Sequence, residues 1–382
     1  QTNSSKILLD CGMFQGHRRQ TRELNSQLPF KASDISAVIL SHGHLDHCGL
    51  LPLLIKSGFN GHIYATPATR DVAEFIMLDS AHIQMQDAEH MNKHHIEGHE
   101  FAVPLYTTAD VNATIKQFIT VPYSEWHNIN DEISFKFYDA GHILGSAVTV
   151  LEVKEGGSLK RLAFTGDLGP TKAPLLKDPV YINEEVPVVI TESTYGNRRH
   201  KPLSAAQTEL IEIVNRTIAN KGKIIVPAFA LGRTQEFIYL IHKLTDQGLL
   251  PTIPIYVDSP LATKLTGVYT KHVENYDAET VIDFLHKGEL PLTFKNLHYT
   301  ETIDESKQLN NLPGPLIVIS ASGMCEAGRI LHHLINGITN PHNTILITGF
   351  QAQHTAGRRL VEGATEIKLF GRMYPVRAQV AV

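Results

Sequence analysis

Four residues able to hold a metal fall within six positions in His42-Gly-His44-Leu-Asp46-His47. They follow an apolar run at 35–40 that reads as a buried strand. In an extended segment, residues 42, 44 and 46 project to one side, so two imidazoles and a carboxylate are expected to converge on one point. His47, at the turn into the next helix, is expected to face a second ion. Nitrogen and carboxylate donors without cysteine suit zinc, with manganese and iron left open. Such a cluster at a strand end has no useful packing role, and the 21 histidines of the chain prompt a search for its partners.

Six positions supply only part of two coordination spheres. His142 and Asp167 are the candidates to complete them, in Asp139-Ala-Gly-His142 and Thr165-Gly-Asp167. Each lies beyond a predicted strand, at 133–138 and 161–164, in a glycine turn that lets a short side chain reach inward. Taken alone, a loop histidine such as His142 is as readily a surface residue. Asp10, closing the apolar run Leu8-Leu-Asp10, is expected to accept a proton from a ligand histidine and fix its tautomer; the bland alternative is a turn aspartate. Cys48 beside Gly49 reads as tight helix packing rather than as a ligand.

The elements that must position these residues come in two textures. Up to about residue 187, short apolar runs are broken by Gly, Asp and His, with one long helix predicted at 69–91. From about residue 204, strand-turn-helix units take over: 224–226 then 233–244, 316–319 then 326–335, and 344–348 then 354–361. That alternation predicts a parallel α/β domain, and with no linker between the textures it is expected to be inserted rather than tethered.

At 382 residues, 42% hydrophobic and 19% charged, the chain is expected to fold as two domains. A formal charge of −5 argues against a generally basic nucleic-acid binder, although two divalent cations would offset most of it where a phosphate must sit. Cys11, Cys48 and Cys325 are scattered and odd in number, so no disulfide framework is expected. No apolar run is long enough to cross a bilayer, and a soluble cytoplasmic protein is expected. The opening Gln1 and a last predicted strand at 376–382 that runs to the final residue suggest a fragment.

Ser-His42-Gly-His44-Leu-Asp46-His47-Cys-Gly, Asp139-Ala-Gly-His142-Ile-Leu-Gly-Ser and Phe164-Thr-Gly-Asp167 resemble the successive metal motifs of the metallo-β-lactamase superfamily. Thr191-Glu192-Ser-Thr-Tyr-Gly196, Pro227-Ala-Phe-Ala-Leu-Gly-Arg233-Thr-Gln-Glu236 and Ile319-Ser-Ala-Ser-Gly323-Met are similar to its β-CASP subfamily of RNA-processing nucleases. The resemblance covers nearly the whole chain, with the motifs in family order. It implies an α/β fold, an αββα metallo-β-lactamase sandwich with an inserted α/β β-CASP cap domain. The expected division is 1–203 for the first part of the sandwich, 204–340 for the cap, and 341–382 for an incomplete return to the sandwich.

By the same resemblance, two Zn²⁺ would be held, one by His42, His44 and His142, the other by Asp46 and His47, with Asp167 bridging. The family's last ligand, a histidine, falls beyond Val382, so the second site is expected to be incomplete. The implied function is hydrolysis of RNA phosphodiester bonds by a metal-activated hydroxide. Asp46 would ligate and orient the water. Glu192 would hold a catalytic histidine or the proton in flight, where without the resemblance it reads as a turn acid. His354 departs from the glycine expected there and is favoured as a solvated helix-start residue.

For substrate binding, Ser322 and Gly323 lie in a small-residue turn before a helix that could cradle a phosphate. Arg233 and Arg358, with Arg359 next to it, could contact phosphates; a solvated helix face is the equal alternative. RNA is the expected partner, no membrane is, and a homodimer is left open. The rival readings are a small-molecule metallo-hydrolase of thioesterase or lactonase type, against which the second domain speaks, and a non-catalytic scaffold, against which the intact ligand set speaks.

Overall fold

The computed structural model describes residues 1–2, 4–14, 18–93, 102–197 and 203–382. The chain divides into two compact units. The first comprises Gln1–Thr194 with His272–Asp277, and the second Tyr195–Lys271 with Ala278–Val382.

In the first unit, strands β1 (Ile7–Leu9), β2 (Ala37–Ile39), β3 (His62–Ala65) and β4 (Phe118–Thr120) form a parallel sheet in that order. A second sheet has the order β5 (Trp126–Asn128), β6 (Ile133–Asp139), β7 (Ala147–Glu155), β8 (Ser158–Phe164) and β9 (Val188–Ile190). It is antiparallel except between β8 and β9. Strand β2 is buried on both faces, as parallel strands covered on two sides are. Ala37 and Ile39 pack with Tyr64 against Phe135, Phe137 and Leu151 of the second sheet. Val38 and Leu40 point the other way, into a cluster with Leu51, Leu54, Ala73, Met77 and Val111.

The helices of the unit are α1 (Arg18–Ser26), α2 (Leu45–Cys48), α3 (Leu51–Lys56), α4 (Pro67–Lys93) and α5 (Thr108–Ile115), and α2 to α5 supply the helical side chains of that cluster. The predicted long helix is α4, and the predicted strands at 35–40, 133–138 and 161–164 are β2, β6 and β8. The segment His272–Asp277 is built into this unit: Tyr276 bridges to Leu176, and the His272 imidazole lies between Asp71 (2.8 Å) and Glu274 (2.9 Å).

The second unit holds β10 (Lys223–Pro227), β11 (Ile255–Asp258), β12 (Leu297–Tyr299), β13 (Leu316–Ser320), β14 (Thr344–Leu346), β15 (Glu366–Leu369), β16 (Arg372–Pro375) and β17 (Gln379–Ala381). Strands β15 and β16 pair as an antiparallel hairpin. The other six form one parallel sheet in the order β12-β11-β13-β10-β14-β17. Helices α6 (Leu203–Ala219), α7 (Arg233–Asp246), α8 (Pro260–Lys271), α9 (Ala278–Asp283), α10 (Ile303–Asn311), α11 (Ile330–Gly337) and α12 (Ala356–Val361) complete the unit.

The return segment expected at 341–382 does not go back to the first unit. β14 pairs with β10, and β17 pairs with β14. The reason is burial: Ile345, Ile347, Leu360, Ile367 and Leu369 share one apolar cluster with Ile225, Ile330 and Leu334, and separating them would return that surface to water. Among the described residues no helix is long and apolar enough to cross a membrane.

Candidate metal centre

The turn that carries the histidines leaves β2 beside the end of β1. Asp10, at a φ of +60°, directs its carboxylate across to it. Oδ1 accepts from the Ser41 amide at 2.7 Å, and Oδ2 accepts from the Ser41 hydroxyl at 2.7 Å and from His47 Nδ1 at 2.6 Å. Since the Ser41 hydroxyl donates to Asp10, its oxygen is left to accept from His42 Nδ1 at 3.0 Å. A proton of each ring is thereby held on Nδ1, which leaves Nε2 of His42 as a lone pair turned inward, while Nε2 of His47 faces Asp167 Oδ1 at 3.3 Å. One aspartate orients two rings, the second through a serine that no sequence signal singles out.

His42, His44, His142 and Asp167 each bring one donor atom to a common point, all within 4.8 Å of one another. His42 Nε2 lies 3.1 Å from His44 Nδ1, and His142 Nε2 lies 3.2 Å from the same atom. Asp167 Oδ2 is 3.8 Å from His42 Nε2 and 3.5 Å from His142 Nε2, while its Oδ1 is 3.3 Å from His47 Nε2. Donors about 2.05 Å from a shared tetrahedral cation stand about 3.3 Å apart. The residues therefore fit a divalent metal. Without a positive charge among them, lone pairs this close repel.

Burial and then mutual repulsion push His42 well below the usual histidine range, and the same causes push His44 down to about 3. Burial lowers His142 as well, against the opposing charges of Asp167, Glu192 and Asp46. These three rings are neutral at physiological pH, the form that binds metals. His47 differs. Burial alone would lower it, but hydrogen bonds to Asp10 and Asp167 prevail and raise it to about 10.

His142 is placed by a network that its own motif does not announce. Thr66 and Thr69, both fully buried at the start of α4, each donate to the Gly145 carbonyl at 2.7 Å. Ser146 Oγ accepts from the amides of His142 (3.0 Å) and Ile143 (3.2 Å), and Tyr123 donates to the Ser146 carbonyl at 2.9 Å. The 142–146 loop is pinned on three sides. Gly141 and Gly166 take φ values of +61° and +53°, the left-handed turns that glycine makes without strain.

Asp46 is not where alternation along a strand would put it. β2 ends at Ile39, and the amides of His47 and Cys48 bond back to the His44 carbonyl, so residue 46 sits in the first turn of α2. Its side chain is exposed and lies outside the four-atom cluster, although its charge is felt at His142. Glu192, half-buried two residues past β9, accepts from the Leu168 amide at 3.0 Å and the Thr194 amide at 3.3 Å. Cys48 is wholly buried in the helical cluster of the first unit.

In the second unit, the turn expected to cradle a phosphate at Ser322 and Gly323 is partly closed on itself. Ser322 Oγ accepts from the amides of Glu326 and Ala327 at 3.3 Å each, the Ser322 amide bonds to the Ala327 carbonyl, and Ile330, the first residue of α11, bonds to the Ala321 carbonyl. N–H groups bonded in this way are not offered to an anion. Arg233, exposed at the start of α7, pairs with Glu236 at 2.8 Å, and the half-buried Arg358 of α12 pairs with Glu362 at 2.6 Å. His354 is exposed, at a φ of +71°, a conformation natural to the glycine expected there.

Asp258, which no motif marks, is wholly buried at the end of β11. It accepts from Arg329 (2.7 Å), His333 (2.6 Å), Ser306 (2.6 Å) and Thr300 (2.5 Å). The one local signal is an acid closing a strand in Val-Asp258-Ser-Pro; nothing nearby in the chain names its partners.

A family model described as the metallo-beta-lactamase superfamily matches residues 1–228, and one described as the Beta-Casp domain matches residues 234–360. A protein of Thermus thermophilus named as a ribonuclease is 33% identical over 375 residues, 98% of this chain and 80% of the relative. An "RNase J-like protein" of Methanocaldococcus jannaschii is 34% identical over 382 residues, 100% of this chain and 80% of its own length. A "Transcription termination factor FttA" of Methanosarcina mazei is 32% identical over 376 residues, with 97% of this chain covered but only 56% of the relative. The histidines and aspartate that meet at one point in the first unit lie within the first family match, and the parallel sheet of the second unit overlaps the other. On both grounds, the chain belongs to the metallo-β-lactamase superfamily, in the β-CASP branch of metallo-hydrolases.

Proposed function

We propose that the chain is a zinc-dependent ribonuclease that hydrolyses phosphodiester bonds. The observation that carries this reading is the convergence of three neutral imidazole nitrogens and the Asp167 carboxylate within 4.8 Å. A nitrogen-rich donor set with no cysteine suits zinc. RNA as substrate is supported by the Beta-Casp match and by relatives named as ribonucleases.

His42, His44, His142 and Asp167 would hold one cation, and His47 with Asp46 a second, with Asp167 reaching both groups through its two oxygens. Bound there, divalent cations supply Lewis acidity, which favours hydroxide over water at neutral pH and screens phosphate oxygens. The residues do the rest. Asp10 keeps a proton on the outer nitrogen of His47 and, through Ser41, of His42; His47, raised to about 10, must give up its inner proton to act as a ligand. Glu192, whose charge acts on His142, is the acceptor for the proton released as the water oxygen bonds to phosphorus, and that proton is returned to the leaving oxygen as its P–O bond breaks.

The test is an assay of labelled RNA, the matching DNA and a thioester, each with and without chelator, alongside metal content. Chelator-sensitive RNA cleavage with zinc bound is expected. Thioester turnover without RNA cleavage would replace this reading with that of a small-molecule hydrolase, and bound metal with no hydrolysis would replace it with that of a scaffold.

A further inference from the structure

Two loops of the second unit bury their residues in inverted order. After β10, Ala228, Ala230 and Leu231 are 1%, 9% and 4% exposed, while Phe229, the largest of the four, is 40% exposed. After β14, Gln351 is 5% exposed and the preceding Phe350 is 42% exposed. Hydrophobicity alone would put the rings inside and the carboxamide out.

Neither ring is outward through looseness. The Thr234 hydroxyl donates to the Phe229 carbonyl at 2.7 Å and the Gln235 carboxamide to the Ala230 carbonyl at 3.1 Å, which fixes the backbone on both sides of the turn. The buried Gln351 donates to the Gly323 carbonyl at 2.9 Å. Gly323 is also where Phe229 packs: a β-carbon there would stand 2.9 Å from the phenyl Cδ2. Phe229 thus lies against Gly323, to which the residue after Phe350 is bonded, and Tyr195 meets the Phe350 ring edge-on with centroids 6.5 Å apart.

The place in the fold matters as much as the exposure. The chain leaves β10 toward β11 on one side of the sheet and leaves β13 toward β14 on the other. The crevice at the C-terminal ends of such a strand pair is where parallel α/β sheets take ligands. Arg233 opens the helix after the first loop, and Arg358 and the exposed Arg359 lie in the helix after the last.

We propose that Phe229 and Phe350 form a stacking subsite for the bases of single-stranded RNA, with Arg233, Arg358 and Arg359 placed for the phosphates on either side; the inference rests on the ribonuclease reading above. In the 321–328 turn the amides of Ser322, Cys325, Glu326 and Ala327 bond within the turn and are not offered to a phosphate in this crevice. What it presents is two fixed π faces. Every base has such a face, so the subsite accepts single strands without choosing their sequence, and a duplex, which hides its base faces, is excluded.

The test is fluorescence anisotropy on the full chain in chelator, so that no strand is cut, with a labelled oligouridine and with the same ribose-phosphate strand lacking its bases. Wild type is expected to prefer the base-bearing strand about tenfold. Phe229→Leu and Phe350→Leu are expected to lose that preference with affinity for the abasic strand unchanged, and Phe229→Trp and Phe350→Tyr to keep it. Leucine at 229 retains apolar packing on Gly323, and an unchanged thermal melt of both variants shows that the loss is not one of folding. Leucine variants that keep the preference, or that weaken on both strands alike, overturn the subsite. If RNA is bound and cut with no dependence on either ring, the subsite alone falls; if no strand is bound or cut, the ribonuclease reading falls with it.

Discussion

Each unit carries a cluster of histidine and aspartate at the C-terminal end of a parallel strand, and the two clusters settle their charges in opposite ways. In the second unit, every acceptor of the buried Asp258 meets a donor, from Arg329, His333, Ser306 or Thr300. Burial alone would raise this carboxyl, but those four hydrogen bonds hold it well below the usual carboxylate range. In the first unit, ring nitrogens face one another at 3.1 and 3.2 Å, and burial keeps them neutral. One cluster is complete without a ligand and acts as a strut; the other is complete only with a cation. Residue types do not tell these apart, whereas the balance of donors and acceptors does.

Breaking the open cluster should give the largest effect. His44→Ala is expected to lower bound metal and to slow RNA hydrolysis more than about a hundredfold, beyond the roughly 10–100-fold cost of losing an outer partner of a ligand. The melting temperature of the metal-free chain should not fall, since a repelling nitrogen is removed. Metal analysis, a cleavage assay and a thermal melt on one preparation check all three, and full activity in this variant would end the metal-site assignment.

Breaking the closed cluster should reverse that pattern. Asp258→Ala leaves Arg329 and His333 without their common partner, and urea unfolding is expected to show a loss of about 3–5 kcal/mol. Metal content should stay at the wild-type value. A variant that stays stable but sheds its metal would mean that the contrast between the units is misdrawn.

The first unit holds its own example of a satisfied histidine, which sharpens the comparison. His272 is kept above its ordinary value by the hydrogen bond to Asp71 and, against burial, by Glu274. The groups near it are those two carboxylates, Arg70 paired with Asp71, and Lys177, whose ammonium bonds the Glu274 carbonyl. A raised value means that the stabilisation is fully present below the unfolded histidine value, about 6.5, and is lost as pH rises through the folded one. His272→Gln is therefore expected to cost about 2 kcal/mol at about pH 6 and progressively less in alkaline solution. An equal penalty in acid and in alkali would show that the imidazolium contributes nothing.

The smallest effect concerns how the open cluster is held in shape. Thr66→Val and Thr69→Val each remove one of two hydroxyls from the Gly145 carbonyl while nearly conserving volume, and each is expected to weaken metal binding about tenfold. Competition with a chromogenic chelator measures it. Unchanged affinity in the double variant would show that Ser146 and Tyr123 position His142 unaided.

Much of this site is legible in the residues. The density of ligands at 42–47 marks the site from local pattern alone, and the recurrence of Gly-His142 and Gly-Asp167 after apolar runs offers the candidates to complete it. Asp46 departs from expectation because the alternation of a strand does not extend past Leu40, where the chain already turns toward a helix. The partial closure of the turn at Ser322 is not legible in its residues, because small residues before a helix look alike whether their amides point outward or close on one another. Residues 341–382 join the second unit rather than the first because a parallel strand carries no mark of the sheet it enters.

Local sequence thus determined which side chains could bind a cation and that each would stand at the end of a strand, since alternation, glycine turns and apolar runs act within a few residues. Tertiary structure alone decided that His142 meets His44 across 98 residues, that Asp10 orients both His42 and His47, and that Phe229 is left in solvent while its neighbours are buried. Those outcomes depend on sheet register and on which surfaces exclude water. Both are properties of the whole packed chain, and no window of residues contains them.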